Sequence, residues 1–239
     1  SEVIKHNIRQ KQKNLWTENE TGELIRIIAA EDSEEEAAVI AEAIAKFPIS
    51  PPLADPPPAD NSQFPISVAV LYRTNAQSRA IEQELISREI PYRIFGGVTF
   101  YARKEIKDIV AGLRLVINPR DAISAERLVS SLPKRAAEAA LALLRASDPA
   151  LPPIAHIETF LKASNYFEML ERRFDNAAER VENVRELIAY ASEFTSLEAF
   201  LERVSLLQAH DVPAKTSSSI SHLSSPVSLM TIHLAKGLE

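Results

Sequence analysis

Apolar and polar positions alternate in different ways along this chain, and the changes of period mark its elements. LIRIIAA (Leu24–Ala30) is a nearly continuous run of β-formers and predicts a strand. EDSEEEAAVIAEAIAKF follows, with Val39, Ile40, Ala43, Ile44 and Phe47 at helical spacing behind a Ser33…Glu36 capping-box pair. SVAVLYRT (Ser67–Thr74) is again continuously apolar, as suits a strand covered on both faces of a parallel sheet. NAQSRAIEQELISRE (Asn75–Glu89) has a helical period, with Asn75 as the expected N-cap and Ile81, Leu85 and Ile86 on the inner face. IPYRIF (Ile90–Phe95) returns as a strand before a Gly96-Gly97 turn. Strand, helix, strand in so short a span predicts a βαβ unit with a right-handed crossover.

Beyond that turn every periodic segment is helical. Ile106, Ile109, Val110, Leu113 and Val116 share a face, and the helix they define should stop at Asn118-Pro119. The clearest later runs are Ala177–Phe194 and Ser196–Gln208, the second behind a Thr195…Glu198 capping pair. AKTSSSISHLSSP reads as a Ser-rich linker, after which Val227–His233 is a last apolar strand. The order α/β, all-helical, α/β predicts a helical domain inserted into an α/β one. Residues 1–10 read as the tail of a helix. Pro48–Pro65 holds seven prolines, so it is expected to be an extended surface loop.

Composition narrows the chemistry. The chain has no cysteine, which excludes disulfides, thiolate catalysis and Cys-ligated metals. Its five histidines are scattered without metal-ligand spacing, so no metal site is expected. No apolar run approaches a membrane span, and no membrane partner is expected. Net charge is −6, yet Leu71–Arg120 holds nine Lys/Arg against five Asp/Glu, a local +4 that leaves −10 for the remainder. A basic island in an acidic chain implies either one local anion-binding face or a solvated helix surface.

Two strand-to-loop junctions carry candidate chemistry, since ligands of parallel sheets sit beyond the carboxyl ends of the strands. LYRTNAQSR gathers Arg73, Thr74, Asn75, Gln77 and Arg79, and TIHLAKGLE gathers Thr231, His233 and Lys236. These side chains suit phosphate oxygens, although Asn75 serves equally as a plain cap. The sequence contains no G-x-x-x-x-G-K-[ST] loop, no nucleophile elbow and no H-E-x-x-H. Spacing alone therefore yields half of a site.

VAVLYRTNAQSRAIEQEL, IPYRIFGGVTFYARKEIKDIVAGLRLVINPRD and VSLMTIHLAKGLE together resemble the UvrD/PcrA/Rep family of superfamily 1A DNA helicases, as does NLWTENETGELIRIIAAEDSEEEA. The resemblance covers roughly two-thirds of the chain by residues, and Ala122–Ser221 only by position and helical character. It implies a partial RecA-like parallel-sheet motor domain, 2A, over 1–102 and 219–239, interrupted by an all-helical 2B insertion over 103–218. It implies an ATP-dependent 3′ to 5′ helicase acting on single-stranded and duplex DNA, cytoplasmic and nucleoid-associated. ATP and Mg2+ would be held largely by an N-terminal motor domain of the same protein, the family's place for Walker A and the Mg-binding acidic motif. The family's motif IV and motif VI arginines are expected just before Ser1 and just after Glu239.

TIHLAKGLE resembles motif V, which implies Thr231 and His233 at the single-strand backbone and Gly237 and Glu239 facing the nucleotide. YRTNAQSR resembles motif IVa, implying Arg73 and Asn75 against DNA phosphates, with Arg79 structural. Phe100, Arg103 and Lys104 fall where 2A passes into 2B, against DNA or at the hinge. This chain alone is expected to be inactive toward ATP. One departure stands out: the family's glycine-bearing duplex-gripping turn is replaced by LPKRAAEAALALL, which reads as continuous helix. The competing reading is a non-catalytic DNA-binding or protein-interaction module descended from a helicase.

Overall fold

The computed structural model describes residues 24–47, 68–210 and 227–236, with Glu18 and Gly22. The Pro-rich segment, the Ser-rich linker, the first ten residues, Gly237 and Glu239 lie outside the described residues. In chain order the helices are α1 (Ser33–Ala45), α2 (Ser78–Ser87), α3 (Lys104–Ile117), α4 (Ala122–Ser131) and α5 (Lys134–Arg145). They continue as α6 (Pro153–Ser164), α7 (Tyr166–Arg173), α8 (Ala177–Ala191), α9 (Leu197–His210) and the short α10 (Ile232–Ala235). The strands are β1 (Val68–Tyr72), β2 (Tyr92–Ile94) and β3 (Val227–Thr231). No helix among the described residues is long and apolar enough to cross a membrane.

The sheet is parallel throughout, in the order β1-β3-β2. β1 and β2 have the expected common direction but are not neighbours. β3 enters from the far end of the chain and lies between them, Val68 and Tyr92 both registering with Val227. That central place explains its composition: Val227 and Leu229 on one face and Ser228 and Met230 on the other are all buried, as in a strand covered on both faces. The strand is shorter than expected. It ends at Thr231, whose hydroxyl accepts the Leu234 N–H at 3.3 Å and turns Ile232–Ala235 into a helical turn. α1 and α2 complete this core, contributing Ala37, Ala41, Ile44, Ile81 and Leu85.

Four local readings are corrected. Leu24–Ala30 is not a strand: among the described residues no strand lies beside it, and Ile25 and Ile27 are each 95% exposed. Apolar β-formers supply side chains for a strand, but a strand also needs a backbone partner. The cap of α1 is Asp32, which accepts the Glu35 N–H at 2.8 Å, and not Ser33. Ser196, not Thr195, caps α9, accepting the Ala199 N–H at 3.3 Å. The expected Asn75 cap is also displaced. Asn75–Gln77 form a 3-10 turn before α2, and the Gln77 side-chain oxygen accepts the Arg73 and Thr74 N–H groups at 3.0 and 3.1 Å.

The helical block is built around α3. Ile106, Ile109, Leu113 and Leu115 are fully buried, and α4, α5, α6, α8 and α9 all pack against this helix. Burying each such side chain stabilises the block by about 1.5–3 kcal/mol. Gly112 sits where α3 meets α5 and α6; a Cβ there would lie 3.1 Å from both Leu144 and Phe160. Phe160 in turn packs on Tyr166, ring centroids 5.0 Å apart. Tyr190, Phe194 and Phe200 form a second aromatic cluster where α8 turns into α9. RAAEAA is helical, as its composition implies, inside α5.

Phe160→Ala should cost about 3–5 kcal/mol in urea unfolding, the usual range for deleting a fully buried ring. Ile27→Ser should change stability by less than about 0.5 kcal/mol, as at an exposed site.

Candidate nucleic-acid interface

Adjacent parallel strands end side by side, and this joins the two candidate clusters. Tyr72 registers with Thr231, so Arg73-Thr74-Asn75 and Ile232-His233 leave neighbouring strands at one edge of the sheet. Strand spacing puts the two loops about 5 Å apart at their roots. The third loop, after β2, closes the edge. Gly96 has φ +69°, and a Cβ on it would meet Leu234 Cδ2 at 2.5 Å, so glycine here serves both the backbone and the seat of α10.

The donors at this edge are of two kinds. Arg73, His233 and Lys236 are exposed, and among the described residues none of the three makes an ion pair. Thr74 and Asn75 are half-buried and already engaged by α8. The Asn75 amide donates to Glu179 Oε1, and the Thr74 hydroxyl donates to Glu182 Oε1 at 3.3 Å. Two carboxylates therefore stand behind the loop, and its open positive charge is that of Arg73.

Arg103 and Lys104 take other roles than the loops. Arg103 is 7% exposed, and its guanidinium donates to the Asn75 carbonyl, Asn183 Oδ1 and Ser78 Oγ, each at 2.8 Å. It holds the Asn75 turn from inside and does not face solvent. Lys104 is half-exposed at the rim of a cleft of about 300 Å3 that it shares with Asn75, Gly96 and Gly97, its Nζ 3.2 Å from Asp108 Oδ2.

Arg79 is the structural residue expected from the sequence. It is 2% exposed, with Nη2 2.6 Å from Glu34 Oε1, Nε 2.7 Å from Glu186 Oε1, and its guanidinium 4.4 Å from the centre of the Tyr190 ring. Burial alone would lower its pKa, but the two carboxylates outweigh this and raise it. Partial burial pushes Glu34 up, while the Arg79 and Ser33 hydrogen bonds pull it down further, leaving it below its ordinary value of 4.5. Burial and the nearby Glu82 charge push the Tyr72 phenol up to about 12.

Sequence reasoning missed the α8 partners. Glu179, Glu182, Asn183 and Glu186 recur at helical spacing on one face, and Asn183 is 2% exposed. The signal was an amide buried inside an acidic stripe, which a solvated face does not need. Behind them Asn183 donates to Glu105 Oε1 at 2.7 Å, and Arg180 pairs with Glu105 Oε2 at 2.5 Å.

Residues 1–152 match the model of the UvrD-like helicase C-terminal domain. The chain belongs to that family. Its similarity to whole proteins extends further along the sequence. The chain is 32% identical to the ATP-dependent DNA helicase UvrD1 of Mycobacterium tuberculosis, over 99% of this chain and 37% of that protein. It is 31% identical to the ATP-dependent DNA helicase PcrA of Bacillus subtilis, over 100% of this chain and 37% of that protein. With the probable DNA helicase II homolog of Rickettsia conorii the identity is 30%, over 100% of this chain and 41% of that protein. The chain thus spans about two-fifths of the length of the curated relatives it matches.

Gly96→Ala should cost about 1–2 kcal/mol in urea unfolding from the left-handed backbone alone. The Glu34–Arg79 pair should show a definite pH dependence. Because the folded pKa of Glu34 lies below its unfolded value, its contribution is complete above pH 4.5 and is lost as pH falls through the lowered pKa. The Tm gap between wild type and Glu34→Gln should therefore be widest near neutral pH and shrink as pH falls below 4.5.

Proposed function

We propose that this chain is the second motor unit, 2A, with its helical 2B insertion, of an ATP-dependent DNA helicase that moves 3′ to 5′ along single-stranded DNA and opens duplex. The observation that carries the proposal is the meeting of the IVa-like and V-like loops at one edge of a parallel sheet, through the Tyr72–Thr231 register. Arg73 and His233 are the open contacts for strand phosphates, with Thr231 shaping the second loop through its bond to the Leu234 N–H. Asn75 reaches the same strand only at its edge, because its amide is held by Glu179. Arg103 acts through Asn75 as a positioning residue, and Lys104 extends the charged rim.

The donors present fit a nucleic-acid backbone. The edge offers a guanidinium, an imidazole, an ammonium and a hydroxyl, which suit phosphate oxygens. Its nearby carboxylates, Glu179 and Glu182, are engaged by Asn75 and Thr74, and among the described residues they are not grouped as metal ligands. ATP and Mg2+ would therefore be held chiefly by the N-terminal motor domain, with Gly237 and Glu239 facing the nucleotide from this side. The chemistry ATP supplies is phosphoryl transfer to water, for which the protein provides positioning and charge neutralisation. The loop after β3 would couple the two ligands, one end at the strand and the other at the nucleotide. Such a protein works in the cytoplasm, at the nucleoid.

The duplex grip of 2B is the finer question. α5 runs unbroken from Lys134 to Arg145, so its N–H groups bond inside the helix from Ala137 onward, while those of Lys134, Arg135 and Ala136 have no intrahelical acceptor. In this reading any duplex contact here is made by a helix N-terminus and not by a glycine turn.

Titration of a labelled single-stranded oligonucleotide at several salt concentrations tests the proposal. Arg73→Ala should weaken binding and reduce the slope of log K against log salt by about 0.7, one phosphate on a single strand. An unchanged slope would remove Arg73 from the interface. The chain by itself should show no Mg-dependent ATP turnover, and measurable turnover would overturn the division of the site between two motor units.

A further inference from the structure

A second cluster of cations lies on the helical block, away from the sheet edge. A cleft of about 430 Å3 opens between α3, α4 and α9, and Lys107, Arg114, Arg127, Ser124, Gln208 and Tyr101 line it. No carboxylate is among its lining residues, although the chain as a whole carries a net charge of −6. Among the described residues Lys107 makes no ion pair, and its side chain is exposed.

The two guanidiniums are held in place from behind. Arg114 donates to Gln208 Oε1 at 2.9 Å, and the Gln208 amide donates to the Tyr101 carbonyl at 3.4 Å. Arg127 lies 2.8 Å from Asp108 Oδ1 and donates to the Lys104 carbonyl at 3.2 Å, yet its Nε is buried without a partner. Arg127 is still 33% exposed, so its anchored guanidinium reaches the cleft that the Lys107 ammonium also lines.

The spacing identifies the kind of acceptor. Lys107 and Arg114 are two turns apart and so share a face of α3, and Lys104 precedes them by one turn. The row rises about 15 Å along the helix. Lys104 also lines the cleft that holds Asn75, Gly96 and Gly97, so the row starts at the sheet edge and leads away from it. A single small anion would engage one end of such a row, whereas a polymer of phosphates engages all of it.

We propose that Lys107, Arg114 and Arg127 form a second phosphate-binding site, for the backbone of nucleic acid that continues past the sheet edge onto the helical block. The proposal rests on the reading of the chain as a DNA-binding part of a helicase, but it uses different residues, so the two can fail separately.

The test compares wild type, Lys107→Ala/Arg114→Ala, the exposed single variant Lys107→Glu, and Arg73→Ala. Each is titrated from about 50 to 200 mM salt with a single-stranded oligonucleotide and with the same strand as the tail of a duplex. Removing two duplex phosphate contacts should lower the salt slope by about 1.8, so that wild type loses about 12-fold more affinity over this range than the double variant. Lys107→Glu should weaken binding without altering the circular dichroism spectrum, and Lys107→Arg/Arg114→Lys should keep the slope. Loss of slope with the single strand alone places the continuing single strand in the cleft, and loss only with the tailed duplex places the duplex there; both support the site. Unchanged slopes with both DNAs overturn it, whatever Arg73→Ala does. Competition by inorganic phosphate at matched ionic strength, with slopes unchanged, would show a free-anion site and would also overturn it.

Discussion

The buried guanidinium of Arg79 is the tie on which the arrangement depends. It reaches Glu34 on α1 from one side and Glu186 on α8 from the other, and stacks over the Tyr190 ring. Those partners belong to different parts of the molecule, α1 and α2 to the sheet core and α8 to the helical block. Removing one member of a buried, charge-paired group commonly costs about 3–5 kcal/mol, because a charge is left without its counterion. Glu34 and Glu186 are only partly buried, so solvent would relieve part of that cost here. The guanidinium itself has no such relief, being 2% exposed.

A second tie runs alongside the first. Arg103 connects the Asn75 carbonyl to Asn183, and Asn183 and Arg180 close on Glu105. The loop after β1 is therefore held by the helical block at its backbone, through Arg103, and at two side chains, through Glu179 and Glu182. The exposed guanidinium of Arg73 is presented from a loop whose Thr74 and Asn75 side chains are already engaged.

How much of this could be read beforehand varies with the physics of each element. The α3 face was legible because helical periodicity and burial coincide: Ile106, Ile109, Val110, Leu113 and Val116 are all buried. β1 and β3 were legible as continuous apolar runs, but β3's place between β1 and β2 was not, since strand order is a long-range property. Leu24–Ala30 had the right side chains and lacked a backbone partner among the described residues. At the site, Arg73, Thr231 and His233 fall together as their strand-end positions implied. Of the two places implied for Arg103, against DNA or at the hinge, sequence could not choose, because a basic residue at a helix start looks the same whether it faces water or a buried carbonyl. Glu179 and Glu182 lie more than a hundred residues from the loop they contact, beyond the reach of any local pattern.

Amide chemical-shift mapping during titration with a single-stranded oligonucleotide tests the central claim most directly. The account predicts that the largest shifts fall on residues 72–75 and 231–236, the ends of two strands that neighbour each other in the sheet and lie far apart in the chain. Shifts confined to other surfaces, such as α6 and α7, with both strand ends unmoved, would contradict it.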